Sequence, residues 1–349
     1  MQVPADGTEI LKRIREKKAA LGKDLLILTH HYQRKEIVDL GDFRGDSFEL
    51  AKKGAADRDA RHIVFCGVHF MAESAAVLCR SHQTVQIPDR EAGCPMADMA
   101  DTATVEEAWR EISAIVGEGA VIPVAYMNTN ADIKAFCGKR GGIICTSANC
   151  GSAFRWAHER AEKILFVPDQ HLGRNTANRM GIAREEIIVW NPGEPLGGNS
   201  EDAIRKARLI LWNGYCIVHA RFTAEHVREM RKSVPEARIV VHPECPEEIV
   251  SLVDACGSTG FIVKYVKEAP PGATIAIGTE INLVHRLSLE YPDKKVLDLH
   301  RSLCANMFKI NPGNLLRTLE NLGTVNLVTV PEAIRNDARL ALDRMLELA

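Results

Sequence analysis

Ten cysteines are spread through this 349-residue chain, and three of them stand apart. Cys94, Cys216 and Cys304 each follow a strand-like run and a polar turn, in Ala92-Gly93-Cys94-Pro95, Trp212-Asn213-Gly214-Tyr215-Cys216 and Leu299-His300-Arg301-Ser302-Leu303-Cys304. None has another Cys at the short spacing of a local metal knuckle. Structural zinc sites usually close with four ligands. Three thiolates suit an iron–sulfur cube instead, in which one iron keeps an open position and acts as a Lewis acid toward a hydroxyl or carboxylate oxygen. The competing reading is three unrelated buried cysteines. Cys66 and Cys145 end apolar runs and read as buried small hydrophobes.

A second set of groups lies at the ends of apolar runs. His30, Tyr126 and His242 share one position, and Ser47, Ser147 and Thr259 share another. Each hydroxyl is expected to begin a helix, where unpaired N–H groups and the helix dipole favour anions. The pattern points to a small substrate with several carboxylate or phosphate groups. Glu244 is the one carboxylate among the His30-His31-Tyr32, Tyr126-Met127-Asn128 and His242-Pro243-Glu244 clusters. It is a candidate acid/base; the alternative is an ordinary surface Glu after Pro243.

The elements that must position these groups recur three times. Short apolar runs such as Leu25–Thr29, Val121–Ala125 and Arg238–Val241 have the character of strands buried on both faces. Helical stretches separate them. The steps His30 to Ser47, Tyr126 to Ser147 and His242 to Thr259 are similar. So are His69 to Cys94 and Glu280 to Cys304, whereas His171 to Cys216 is nearly twice as long. We attribute that excess to the Pro/Gly-rich insertion Asn191–Asn199, before a helix expected to start near Ser200. The repeat predicts an α/β fold of three pseudo-symmetric units, each a small parallel sheet flanked by helices, around a central cavity. The expected boundaries are 23–104, 105–217 and 218–305, with terminal helical segments at 1–22 and 306–349. Ligands in such sheets sit beyond the carboxyl ends of the strands, where the polar clusters lie.

Composition narrows the function. The net charge of −2 and scattered basic residues give no argument for nucleic acid. No apolar run is long enough to span a membrane, and the N-terminus lacks a hydrophobic signal core, so a cytoplasmic location is expected. There is no G-x-G-x-x-G after a strand, no G-x4-G-K-[ST], no G-x-S-x-G and no H-E-x-x-H.

His30-His31-Tyr32, Gly45-Asp46-Ser47-Phe48-Glu49-Leu50, Tyr126-Met127-Asn128, Cys145-Thr146-Ser147-Ala148-Asn149, Pro168-Asp169-Gln170-His171-Leu172-Gly173, His242-Pro243-Glu244 and Gly257-Ser258-Thr259 resemble the quinolinate synthase family, the A protein of bacterial NAD biosynthesis. The resemblance runs from about residue 10 to 349. It implies a transferase that condenses iminosuccinate with dihydroxyacetone phosphate, releasing phosphate and two waters. It implies a [4Fe-4S] cluster on Cys94, Cys216 and Cys304. Substrate contacts would be His30, Ser47, Tyr126, Met127, Asn128, Ser147, His242, Pro243, Glu244 and Thr259. Catalytic roles would fall to Glu244, Tyr32, His30 and Tyr126. Transient contact with the enzyme that makes iminosuccinate is a further expectation. Some members carry Cys-x-x-Cys-x-x-Cys near the third ligand; here Cys304 stands alone. His219 lies near the site without an assigned role. The alternatives are an aconitase-type iron–sulfur hydro-lyase, which would carry a Cys-x-x-Cys pair, and a non-catalytic iron–sulfur sensor, which would carry a partner module.

Overall fold

The computed structural model describes residues 7–348. Thirteen strands lie among them, every strand pair parallel, in three sheets. The first sheet holds β1 (Leu25–His30), β2 (Phe43–Gly45), β3 (His62–Cys66) and β4 (Thr84–Gln86), in the order β2-β1-β3-β4. The second holds β5 (Val121–Tyr126), β6 (Ile143–Cys145), β7 (Lys163–Val167), β8 (Ile187–Trp190) and β9 (Leu209–Trp212), in the order β6-β5-β7-β9-β8. The third holds β10 (Arg238–Val241), β11 (Ala255–Cys256), β12 (Thr274–Gly278) and β13 (Lys295–Asp298), in the order β11-β10-β12-β13. The predicted α/β class with three parallel sheets is therefore what the chain forms. β1, β5, β7 and β12 are buried along their whole lengths, as central strands covered by helices on both faces must be.

Register does the positioning. His30 pairs with Gly45, Tyr126 with Cys145 and Val241 with Cys256. In each sheet the end of the first strand thus lies level with the end of the second, and the hydroxyl follows within a few residues. Ser47 and Thr259 are the first residues of the helices Ser47–Ala56 and Thr259–Glu268. Asp46 caps the former in a capping box with Glu49, and Ser258 caps the latter. Ser147 departs from the expectation that each hydroxyl opens a helix. Asn149 Oδ1 accepts a 2.7 Å hydrogen bond from the Thr146 backbone N–H, which holds a turn and delays the helix to Cys150–His158.

The long step before Cys216 also has a different cause from the one inferred. The second sheet has gained a strand, β8, and the helix Glu201–Lys206. β8 occupies the outer edge, while β9 takes the place that β4 and β13 hold elsewhere. The Pro/Gly-rich loop is only the exit from this added strand. Gly197 (φ +61°) lies so close to the Trp190 indole that a Cβ would approach it to 2.3 Å, so the turn needs glycine on both counts.

The chain forms two compact units. One comprises residues 7–94 and 303–331 and contains the first sheet; the other comprises residues 95–302 and 332–348 and contains the second and third. In the first, helix Gly7–Leu21 packs on Pro312–Glu320, with Ile14 buried and Arg13 paired to Glu320. In the second, helix Glu332–Glu347 packs along Ala131–Lys139. Arg344 Nη1 donates to the Gly142 carbonyl at 2.5 Å. No helix among the described residues is long and apolar enough to cross a membrane.

A Cβ on Gly138 would lie 1.8 Å from the Asp337 carbonyl oxygen. Gly138→Ala must force these helices apart. It is expected to cost about 1–3 kcal/mol or more, measured by denaturant unfolding, with the largest loss of hydrogen-exchange protection in residues 332–347.

Candidate active site

The second unit gathers most of the anticipated residues around one carboxylate. Glu244 sits in the turn after β10 and is buried. Tyr126, the last residue of β5, donates its hydroxyl to Glu244 Oε1 at 2.5 Å. His219 Nδ1 lies 2.6 Å from Glu244 Oε2, and its Nε2 lies 2.9 Å from Thr279 Oγ1. The assignment that satisfies both has Nδ1–H donating to the carboxylate. His242 stacks on His219 with ring centroids 4.5 Å apart and places Nδ1 3.7 Å from Glu244 Oε2. The backbone N–H of Glu244 donates to His242 Nδ1 at 3.4 Å, leaving Nε2–H to face Ser147 Oγ at 3.3 Å. Tyr126, Ser147, His242 and Glu244 thus form one network, as the spacing of their strand ends implies.

His219, left without a role by the sequence, is its second anchor. Both ring nitrogens are engaged and the side chain is fully buried. Its signal was the Cys216-x-x-His219 spacing. Ligand atoms of Cys216, His219 and Glu244 all lie within 4.8 Å of one another. A single metal ion in this triad would have to displace the His219–Glu244 hydrogen bond, so the triad reads as a hydrogen-bonded centre with a thiol at its rim.

The electrostatics set two carboxyl groups apart. Burial alone would raise the pKa of Glu244. Electrostatic attraction to His242 and His219, with hydrogen bonds from His219 and Tyr126, outweighs it and holds Glu244 well below the usual carboxylate range. Asp169 lies at the end of β7, capping helix Gln170–Met180 through Oδ1. Burial, then repulsion from Glu244, raises its pKa well above the ordinary value, and its buried Oδ2 has no hydrogen-bond partner among the described residues. Two carboxyl groups whose pKa values are pushed in opposite directions follow the usual division between base and acid.

Of the other expected contacts in this unit, Met127, Pro243 and Thr259 are buried and Asn128 is half-buried. Asn128 Oδ1 is buried without a hydrogen-bond partner among the described residues. Pro243 contributes its carbonyl, which accepts from Asn175 Nδ2 at 2.9 Å. In the first unit, His30 ends β1; its Nδ1 accepts from the Tyr32 N–H at 3.1 Å, and the two rings meet edge to face at 4.8 Å. Ser47 is half-buried.

The cysteines divide by environment. Burial pushes the thiols of Cys66 and Cys137 up to about 12 and that of Cys256 to about 11, and raises Cys145 and Cys245 well above the ordinary range. Protonated sulfurs of this kind are poor metal donors. Cys94, Cys216 and Cys304 are half-buried in irregular chain: Cys94 precedes helix Pro95–Asp98, Cys216 follows β9, and Cys304 is the N-cap of Ala305–Lys309 after β13. Their donor chemistry fits a group that takes thiolates.

Parallel sheets carrying a buried carboxylate–histidine–tyrosine centre at their carboxyl ends define an α/β enzyme with acid/base chemistry. The model of the family described as quinolinate synthetase A protein matches residues 12–347. The quinolinate synthase of Corynebacterium glutamicum is 47% identical over 349 residues, covering 99% of this chain and 89% of that one. That of Acidobacterium capsulatum is 50% identical over 345 residues, covering 97% and 92%. That of Haloarcula marismortui is 45% identical, covering 98% and 92%. The chain belongs to the quinolinate synthetase A protein family.

Because Glu244 has a folded pKa below its unfolded value, its contribution to stability is fully present above the unfolded pKa and is lost as pH falls from there through the lowered value. Tyr126→Phe removes a donor from this buried carboxylate. It is expected to cost about 1–3 kcal/mol, measured by thermal unfolding. The loss should persist into mildly acid solution, where Glu244 remains ionised.

Proposed function

We propose that this chain is a quinolinate synthase that condenses iminosuccinate with dihydroxyacetone phosphate to quinolinate, phosphate and two waters. The reaction balances in atoms and electrons with no external oxidant, consistent with a site built from acid/base groups. The observation that carries the reading is the buried Tyr126–Glu244–His219–Thr279 chain of hydrogen bonds beside Cys216.

In this reading Cys94, Cys216 and Cys304 hold a [4Fe-4S] cluster. When bound, such a cluster would supply Lewis acidity toward a substrate oxygen. The chain's own residues do the rest. Ser47, Ser147 and Thr259 bind the substrate carboxylates, two of them at helix N-termini. Asn128 Oδ1 accepts from the imine N–H. Glu244 takes a proton from carbon or oxygen, and the Nδ1–H of His219, already hydrogen-bonded to it, orients and stabilises the carboxylate. His30 and Tyr32 carry further protons, with Tyr126 steadying the charge on Glu244. Burial of Glu244, His219 and His242 supports exclusion of bulk water, which would hydrolyse the imine. The same lability gives a reason for transient contact with the enzyme that makes iminosuccinate, and the proposal places the chain in NAD biosynthesis.

The test is quinolinate formation by anaerobically purified protein, followed by chromatography. Glu244→Gln should lower kcat about 10²–10⁴-fold with the iron–sulfur absorption intact; near-normal turnover removes its acid/base role. Cys304→Ala should abolish the broad iron–sulfur absorption band. A variant that kept both band and activity would refute the ligand set.

A further inference from the structure

Asn175 lies on helix Gln170–Met180, which follows β7 of the second sheet, and it is only 3% exposed. A polar side chain held out of water must find partners for its donors. Asn175 Nδ2 finds two, the Pro243 carbonyl at 2.9 Å and the Cys245 carbonyl at 2.7 Å. Carbonyl oxygens only accept, so these partners fix the amide with its nitrogen toward them. They belong to the residues immediately before and after Glu244. A side chain of the second sheet thus brackets the candidate base of the third.

The residue type suits the task. A carboxamide presents two hydrogens on one uncharged nitrogen, enough for both carbonyls. Serine or threonine would leave one carbonyl unsatisfied, and lysine or arginine would bring a charge into a buried site. Asn178 supplies the contrast on the same helix. It is exposed, and its Nδ2 donates to the Glu247 side chain at 2.9 Å. That bond ties the helix to the neighbouring helix Glu247–Leu252 without touching the backbone of Glu244.

The peptide unit joining Pro243 to Glu244 is held at both ends. Its carbonyl accepts from Asn175, and its N–H donates to His242 Nδ1 at 3.4 Å. The Cys245 N–H also donates, to the His242 carbonyl at 3.0 Å. A hydrogen bond at a carbonyl polarises the peptide and strengthens donation from its N–H. Asn175 therefore favours the His242 tautomer that leaves Nε2–H facing Ser147 Oγ. The carboxylate itself tolerates little displacement. It must meet the Tyr126 hydroxyl at 2.5 Å and His219 Nδ1 at 2.6 Å, and these come from two other parts of the chain. A turn free to shift by about 1 Å would stretch both bonds beyond useful length.

We propose that Asn175 is a positioning residue for the acid/base carboxylate: its amide grips the backbone on either side of Glu244 and so sets the carboxylate between Tyr126 and His219. This rests on the function proposed above, in which Glu244 moves the proton. Asn175 touches no reacting atom in this scheme. It acts through Glu244, so its worth to turnover depends on what stands at that position.

The experiment is a double-mutant cycle in the holoenzyme with Asn175→Ala and Glu244→Gln, read by quinolinate formation and by thermal unfolding. Asn175→Ala alone should lower kcat about 10²-fold, with KM for either substrate moving far less. In the Glu244→Gln background the same change should cost little further turnover. Near-native kcat, or an equal loss in both backgrounds, overturns the proposal, since a merely structural side chain would be missed equally in each. Asn178→Ala, on the exposed side of the helix, should leave kcat unchanged. Where Asn175→Ala does not fold, Asn175→Ser keeps one donor and carries the same cycle with a smaller loss. Unfolding supplies a readout without turnover. The fall in melting temperature caused by Asn175→Ala should be larger with Glu244 present than with Gln there, because only the buried charge depends on exact placement. If wild-type protein forms no quinolinate, the functional reading fails. The placement of Glu244 by Asn175 then stands or falls on that difference in melting temperature, and an equal fall in both backgrounds overturns it.

Discussion

A carboxylate that must stay ionised away from water is the constraint on which the site depends. Glu244 is buried, and burial alone favours its neutral form. Two imidazoles and one tyrosine hydroxyl reverse that preference. They come from three different places: the end of β5, the loop after β9, and the turn after β10. The carboxyl ends of two sheets must therefore be fixed with respect to each other before the charge is tolerable. Arg344 and the close approach of Gly138 to Asp337 serve this end indirectly, because the closing helix anchors Ala131–Lys139, which follows β5. Removing any single partner leaves the charge buried and poorly compensated, a situation far more costly than a missing surface ion pair.

Asp169 gives the same physics the opposite outcome. It too is fully buried, but its neighbours are two backbone donors and a nearby negative charge rather than imidazoles. The two carboxyl groups are therefore shifted in opposite directions through their surroundings alone, and the negative charge of Glu244 is one cause of the rise at Asp169.

Much of this was legible in the sequence because strand ends are marked twice, once by the apolar run and once by the polar cluster that stops it. His30, Tyr126 and His242 were found that way, as were Ser47, Ser147 and Thr259. What escaped detection lacked one of the two marks. β2 and β11 are too short to show an apolar run. β8 reads as a strand, but no periodicity tells an added edge strand from an internal one, so the extra length was attributed to its loop. His219 belongs to no strand end; it lies in irregular chain between β9 and the helix Ala224–Ser233, and only the fold brings it to Glu244. Asp169 was visible as part of a motif, yet its burial and unsatisfied oxygen come from packing that spacing cannot report.

The register shared by the three sheets has an evolutionary consequence. His30 opposite Gly45, Tyr126 opposite Cys145 and Val241 opposite Cys256 are positioned by backbone ladders, which do not depend on side-chain identity. A duplicated unit of this kind keeps its reactive positions in place while each copy changes what it displays there. One copy could take on a tyrosine, another a histidine and glutamate, and the middle one an additional edge strand, with no copy losing alignment. Such a scaffold lets catalytic division of labour arise within a single chain, by drift at fixed addresses rather than by invention of new geometry.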